Sequence, residues 1–466
     1  MTTDQEKLAL LTAKLGVTLK QPYQSDESTI PRAEYDEQDK LISLNLTELE
    51  LTELPPEIGQ LTNLQKLDLS YNQLTTIPPE IRQLINLQEL NLTDNPIRLT
   101  SLTIHNFKAF VDCAIQLAPL TIFIGENSAG KSSLLQVLLL MKQTQESPQS
   151  KGVLNINSHY VQFQQIREII FGMPKEEATF GFEFGFADFK MGFGFKVPSR
   201  QHGVSLHELY FNEQKLSVPD ATSLVETLIK ISTPAKFYSS PFFHFFKTLN
   251  YVRPIRPAPQ RYYRLSGVEP QWIGTEAEDL ADYLEANPAV KKQVRDWFVK
   301  SAKLAKNVKF KSMPKRGLME ITFIEPHTGL EIDLSRLGFG YSQMLPLVVA
   351  TFSEMRTLIF EAPEIHLNSN LHGLLTDLFI EGANNGKQIL VETHSEHVIY
   401  RIQRRVAEGK IAPQDVAIYY ISRGKDGSTA KRLTITPEGE IPDWPDGFFD
   451  ARMKDVFARV LAGDQD

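Results

Sequence analysis

At 466 residues the chain is long enough for about three domains of ordinary size and for a large buried core. It is 42% hydrophobic and 23% charged, which excludes an intrinsically disordered chain. A net charge of −8 excludes a uniformly basic nucleic-acid coat but leaves room for a local basic face. The single cysteine, Cys113, excludes an internal disulfide framework and a Cys-rich metal site. The opening stretch MTTDQEKLALL has no signal-peptide pattern, and the apolar run around Leu134–Met141 is too short to span a bilayer. A cytoplasmic address without membrane contact is therefore expected.

In chain order, the first organised feature is a repeat. Leu41, Leu64 and Leu87 are 23 residues apart, as are Leu44, Leu67 and Leu90, and Leu46, Leu69 and Leu92. Pro55-Pro56-Glu57-Ile58 returns as Pro78-Pro79-Glu80-Ile81, and Asn72 returns as Asn95. The pattern resembles the leucine-rich repeat, in which short strands point leucines into a shared core and a turn asparagine bonds free backbone groups. Leu49 stands where the first repeat would carry that asparagine. About two and a half repeats are too few to stand alone, so they are expected to lean on residues 1–40, on the next domain, or on both. The module serves either as a protein-recognition surface, recruiting an effector, or as a stabilising edge.

From Leu99 the character changes. SLTIHNFKAF and APLTIFIG read as strands, and the second runs into GENSAGKSS, residues 125–133. This satisfies GxxxxGK[ST], with Gly125, Gly130, Lys131 and Ser132 at the defining positions. Glycines let successive backbone N–H groups turn inward around phosphate oxygens. Lys131 brings positive charge to the β- and γ-phosphates, and the Ser132 hydroxyl can ligate Mg²⁺. The helix beginning at Lys131 adds the positive end of its dipole. The expected nucleotide contacts are thus Gly125, Glu126, Asn127, Ser128, Ala129, Gly130, Lys131, Ser132 and Ser133. Being apolar on nearly every side, that helix is expected to be buried.

Three later segments choose among NTPase families. TLIFEAPEIHL, residues 357–367, is an apolar strand ending in acids. GFGYSQ, residues 338–343, precedes a predicted helix, and QILVETHS, residues 388–395, is a strand ending in a histidine. Their order and spacing resemble the ATP-binding-cassette heads of the SMC and OLD-like ATPases. IHNFKAF at 104–110, YVRPIRPAPQRYY at 251–263 and FFDARMKDVF at 448–457 extend the resemblance to the bacterial branch with a C-terminal domain of unknown function. It covers about residues 99–466 and leaves out the repeats.

The resemblance implies ATP and Mg²⁺ as cofactors, with Glu361 as the Walker B acid of the metal shell and His394 as the switch histidine. Ser342, with Gly340 and Gln343, would reach the γ-phosphate of ATP bound to a second copy, because such heads close as a head-to-tail homodimer. The glutamine that senses Mg²⁺ and water would be Gln162, Gln164 or Gln165. Family members often carry Glu before the proline of Glu361-Ala362-Pro363-Glu364; here it is alanine, which cannot activate water. Either Glu364 or His394 then positions the water, or hydrolysis is slow and ATP acts as a dimerisation switch. Ala362→Glu is expected to raise turnover.

Between these motifs, Phe180, Phe182, Phe184, Phe186, Phe193 and Phe195 alternate with period two, predicting antiparallel strands over 178–215 with one buried aromatic face. His244, among phenylalanines, is expected to be packed rather than ligating. No cluster has zinc spacing. About 70 residues follow His394, short of the large nuclease domain of OLD proteins, so any nuclease is expected on another chain. VAIYYIS at 416–422 and LTITPEGEI at 433–441 read as the last strands. Ten Lys or Arg against Asp296 make net +9 between Lys291 and Arg316, a candidate DNA or RNA contact or else a solvated helix face.

The expected fold is α/β. It comprises a cap or flexible segment over 1–40, a short leucine-rich-repeat solenoid over 41–98, and an ABC/SMC-like P-loop head over 99–466. Within the head an antiparallel β-subdomain, a helical and basic insertion over about 217–316 and a C-terminal segment over 416–466 are anticipated. The expected function is an ATP-hydrolysing, dimerising switch, in anti-phage defence or DNA-associated processes. The alternative is a non-hydrolysing, nucleotide-gated scaffold that recruits a partner through its repeats.

Overall fold

A computed structural model describes residues 3–17, 32–92, 95–147, 153–186, 189–199, 203–211, 214–216 and 241–445, with single positions 218 and 224. The segment FFDARMKDVF lies outside them. The chain divides into two compact units, residues 1–117 with 133–249, and residues 118–132 with 250–466.

In the first unit the repeats form a four-stranded sheet: β1 (Arg32–Tyr35), β2 (Leu41–Asn45), β3 (Lys66–Asp68) and β4 (Glu89–Asn91). Strands β2, β3 and β4 run parallel with Leu44, Leu67 and Leu90 in register, because a 23-residue spacing returns each leucine to the same point of the stack. Strand β1 closes the start antiparallel to β2. The helix Asp4–Leu15, held by a Thr3–Glu6 capping box, sends Asp4 Oδ2 to the Leu41 N–H at 3.0 Å and Asn63 Nδ2 at 2.9 Å.

The missing asparagine now has a cause. Asn72 Oδ1 accepts the N–H groups of Leu49 and Leu51, each at 3.0 Å, while its amide donates to Leu46 O and Leu69 O. Asn95 likewise accepts from Leu74 N and donates to Leu69 O. Each asparagine serves the turn of the repeat before it, and the first repeat has none before it. Asn72→Ala strands these buried groups and is expected to cost about 3 kcal/mol. A lowered urea midpoint checks this; an unchanged midpoint would mean water replaces the ladder.

The other end of the repeats is tied by the helix Pro241–Lys247. His244 is buried with Nε2 2.8 Å from Asn95 O, a packed histidine as expected. Phe242 and Phe246 of the same helix meet Phe184 edge-on at 5.4 and 5.7 Å. Such aromatic pairs add about 1 kcal/mol each beyond their burial. The repeats therefore lean on both neighbours.

Phe184 belongs to a six-stranded antiparallel sheet ordered β11-β10-β9-β8-β5-β6. Its members are β5 (Ser101–Phe107), β6 (Phe110–Gln116), β8 (Ala178–Phe186), β9 (Phe189–Val197), β10 (Ser205–Phe211) and β11 (Gln214–Leu216). All six alternating phenylalanines are buried, as the period-two pattern requires. The helix Lys131–Glu146 is buried along nearly its whole length.

The second unit is built on a sheet ordered β12-β17-β18-β7-β19-β20. These are β12 (Leu249–Val252), β17 (Thr357–Glu361), β18 (Gln388–Glu392), β7 (Leu120–Gly125), β19 (Val416–Gly424) and β20 (Gly427–Leu433). Strands β17, β18, β7 and β19 are mutually parallel and almost wholly buried, which is why they read as unbroken apolar runs. Among the described residues the last strand is thus 427–433, and not 433–441. There Thr436 N–H bonds Glu440 O in a turn, and Gly439 takes φ +83° where a Cβ would meet Gln403 O.

The segment expected as a helical insertion carries strands as well as helices. Helices Leu280–Ala286 and Pro288–Asp296 lead to β14 (Asn307–Met313), which pairs in an antiparallel sheet with β15 (Leu318–Ile324); β13 (Tyr262–Arg264) and β16 (Glu331–Asp333) also pair with β15. The basic stretch is consequently not one helix face. Lys291 pairs with Glu285 at 2.6 Å, Lys300 with Asp296 at 3.1 Å and Lys309 with Glu331 at 2.5 Å, so folding brings acids against charge that the sequence shows as a run. No described helix is long and apolar enough to cross a membrane.

Candidate active site

Parallel β-strands place their C-terminal ends along one edge, where the backbone leaves the sheet and side chains are free to converge. Along this edge stand Gly125 of β7, Glu361 of β17 and Glu392 of β18, with Glu361 and Glu392 in register. Gly125 has φ +147°, and a Cβ there would lie 2.1 Å from Ile421 O of β19, so the loop can leave the sheet here only through glycine. Ser128 at φ +62° and Gly130 at φ +106° complete the inward turn. Glu126, Asn127 and Ser128 are exposed, Ala129 and Ser133 are buried, and Gly130 and Ser132 are half-buried.

Lys131 is 3% exposed and donates from Nζ to Gly125 O at 3.1 Å and Glu126 O at 2.7 Å. Burial pulls its pKa down, against the opposing pull of Glu392 and Glu364. Ser132 Oγ donates to Glu392 Oε1 at 3.0 Å. Glu392, two positions before the switch histidine, has no place in the sequence motifs. The available signal was an apolar strand ending in a carboxylate, as β17 also does.

Glu392 is 5% exposed, and its Oε2 has no partner. Burial, then the Glu361 carboxylate beside it, pushes its pKa up to about 7. A carboxyl raised by folding stabilises the native state while protonated and loses that contribution as pH climbs through its ordinary range to about 7. The nucleotide-free protein is therefore expected to lose about 3 kcal/mol between pH 5 and 8. Glu392→Gln should flatten that slope in melting curves recorded against pH, and an equally steep slope would refute the assignment.

Beyond β17 the chain turns sharply. Ala362 sits at φ +41° and His366 at φ +65°, a costly conformation for residues with a Cβ. Ala362 is 7% exposed, so glutamate there would bury a carboxylate close to Glu361 and Glu392. Ala362→Glu therefore perturbs stability as well as chemistry, and the expected gain in turnover is not a clean readout. Glu364, 8% exposed, accepts the His394 backbone N–H on Oε1 at 2.7 Å, while its Oε2 has no partner. The His394 ring is exposed; burial of its base and then Lys131 hold its pKa below the usual value, so it is neutral at pH 7. His372, also missed from sequence, meets Ser395 Oγ through Nδ1 at 2.8 Å.

GFGYSQ is itself the first turn of the helix Phe339–Phe352, capped by Gly338, and does not merely precede it. Gly338 and Phe339 are exposed and Gly340 is half-buried. Ser342 is buried with its hydroxyl bonded to Phe339 O at 2.7 Å, and Gln343 is buried with Nε2 on Pro257 O. In this state Ser342 and Gln343 are turned inward. Gln162, Gln164 and Gln165 are all exposed and lie in the first unit, so the three stay equivalent candidates.

These residues suit a nucleoside triphosphate with a divalent cation. Lys131 and the turn 125–130 would hold the phosphates, and Ser132 with Glu361 the cation. Among the described residues no three His, Cys, Asp or Glu are grouped to hold a metal by themselves. Mg²⁺ takes one or two protein ligands together with phosphate oxygens and water, a number that Ser132 and Glu361 would meet.

Comparison with known proteins agrees. A family profile described as "AAA domain, putative AbiEii toxin, Type IV TA system" matches residues 120–399. A leucine-rich-repeat profile matches 39–97, and a "Protein of unknown function (DUF3696)" profile matches 411–458. Among solved structures, an SMC head bound to the C-winged helix domain of ScpA is 14% identical, with a TM-score of 0.46 over 72% of this chain and 98% of that one. The SMC head domain from Thermotoga maritima is 14% identical, with a TM-score of 0.41 over 73% and 100% of the two chains. An SMC head with an extended coiled coil from Pyrococcus furiosus, bound to a C-terminal domain of ScpA, is 12% identical, with a TM-score of 0.44 over 79% and 99%. No curated protein matches the chain. The chain belongs to this AAA domain family, and is a nucleotide-binding ATPase preceded by leucine-rich repeats.

Proposed function

We propose that this ATPase is a dimerising molecular switch: ATP held by Lys131, Ser132 and Glu361 closes two copies head to tail, and hydrolysis or release reopens them. The observation that carries the reading is the convergence of the phosphate loop, Glu361, Glu392 and the Glu364–His394 contact on one edge of a parallel sheet. Glu364 is the general base in this scheme. It is held against the His394 backbone through Oε1, and Oε2, buried without a hydrogen-bond partner, would take the proton from a water admitted with ATP. The inward Ser342 would have to rotate outward to serve a second copy, so closure includes a change in the first turn of its helix. The leucine-rich repeats would recruit an effector, in anti-phage defence or in DNA-associated processes.

One observation favours the second reading, a scaffold that holds ATP without consuming it. The position that usually carries the base is a buried alanine in a strained turn. Steady-state phosphate release, with sizing of the protein with and without ATP, separates the two. Sustained release supports the switch; tight binding and dimerisation without release support the scaffold. Nucleic-acid contact by the exposed Lys303, Lys306 and Lys309 is tested by reversing all three. Salt-sensitive DNA binding is expected to fall by about 100-fold, and unchanged affinity would dismiss the contact.

A further inference from the structure

The first seven residues of the segment YVRPIRPAPQRYY reach the Glu361 carboxylate and the backbone on both sides of Glu364. Tyr251, buried on β12, donates its hydroxyl to the Glu361 carboxylate. Arg256 is equally buried and donates from Nη2 to Pro363 O at 3.0 Å and Ile365 O at 3.2 Å, the carbonyls on either side of Glu364. Pro257 O accepts Gln343 Nε2 at 3.2 Å from the helix carrying GFGYSQ.

Burying a guanidinium whose bonds go to carbonyls is unfavourable as a stability device, because no carboxylate hydrogen-bonds it and the attraction of nearby Glu364 does not outweigh its desolvation. The turn it ties contains two residues at positive φ, and such backbone persists only where its surroundings over-determine it. A guanidinium is suited to this, since Nη2 bonds both carbonyls while the rigid planar group keeps Nη1 on Arg253 O at 3.4 Å.

We propose that Tyr251 and Arg256 are positioning residues for the acids: Arg256 holds the turn that aims Glu364, and Tyr251 holds the carboxylate of Glu361. The catalytic part of this inference rests on the hydrolytic reading above. Arg256→Lys keeps the charge and loses the planar group that holds Nη1 and Nη2 on their separate carbonyls; Arg256→Gln is a second, uncharged variant; Tyr251→Phe removes one hydroxyl. Hydrogen exchange in nucleotide-free protein should quicken selectively by about tenfold at residues 361–366 and 394 in the Arg256 variants. Their affinity for a fluorescent ATP analogue should stay within about twofold while kcat falls about tenfold or more at unchanged KM. Tyr251→Phe should raise the Mg²⁺ needed for half-maximal analogue binding by about tenfold. Unchanged exchange and kcat would overturn the proposal. Exchange rising evenly across the unit, with binding and turnover falling together, would also overturn it, because that is loss of general stability. If the wild type binds ATP without hydrolysing it, the hydrolytic reading fails on its own, and the exchange and Mg²⁺ measurements still decide the brace.

Discussion

Lys131→Ala is expected to weaken ATP binding by about 100-fold or more without unfolding the protein, since a charge-assisted contact to phosphate is among the strongest a side chain makes. The ammonium is nearly buried, bonded to Gly125 O and Glu126 O and attracted by Glu392 and Glu364, which do not outweigh its desolvation. Its removal relieves a desolvation cost, so the nucleotide-free variant should melt at or slightly above the wild-type temperature. The distinction appears on adding Mg-ATP. A ligand at about 100 times its dissociation constant stabilises a protein by about 2.7 kcal/mol, so the wild type should gain several degrees and the variant almost none. Equal gains would show that the phosphates bind elsewhere, and the active-site assignment would fall with them.

Glu364→Gln is the second large effect. Glutamine keeps the oxygen that accepts the His394 N–H, so the turn should survive, but it cannot take a proton from water. Turnover is expected to fall by about 10²- to 10³-fold with ATP binding retained, the range general bases contribute. His394→Ala provides the contrast. Its ring is neutral at pH 7 and exposed, so its loss should cost less than Glu364 if Glu364 is the base. Brisk turnover surviving Glu364→Gln would reassign that role.

Much of the fold was legible because short-range patterns carry it. A 23-residue leucine spacing can only be a stack, alternating phenylalanines can only face one side of a sheet, and GxxxxGK[ST] between an apolar strand and an apolar helix has one known use. Elements without such a local signal were misjudged. LTITPEGEI alternates like a strand, yet the chain turns there because Gly439 must pack against the Gln403 carbonyl. The run of positive charge from Lys291 to Arg316 is linear in sequence, but Glu285 and Glu331 are brought against it by a helix and by β16.

The candidate site divides in the same way. Lys131, Ser132, Glu361 and His394 lie inside recognisable spacings, whereas Tyr251 and Arg256 act on the acid turn from 110 and 107 residues away in sequence.

The opening arithmetic of 466 residues and −8 charge allowed about three domains and only a local basic face. By itself the sequence determined the repeat module, the phosphate loop and the family, because each rests on periodicity or on chemistry confined to a few neighbouring residues. Tertiary structure decided where charge remains exposed, which carboxylates share an edge and which buried arginine and tyrosine hold them. Those depend on parallel strands whose order, β17-β18-β7-β19, is set by long-range pairing and has no local signature.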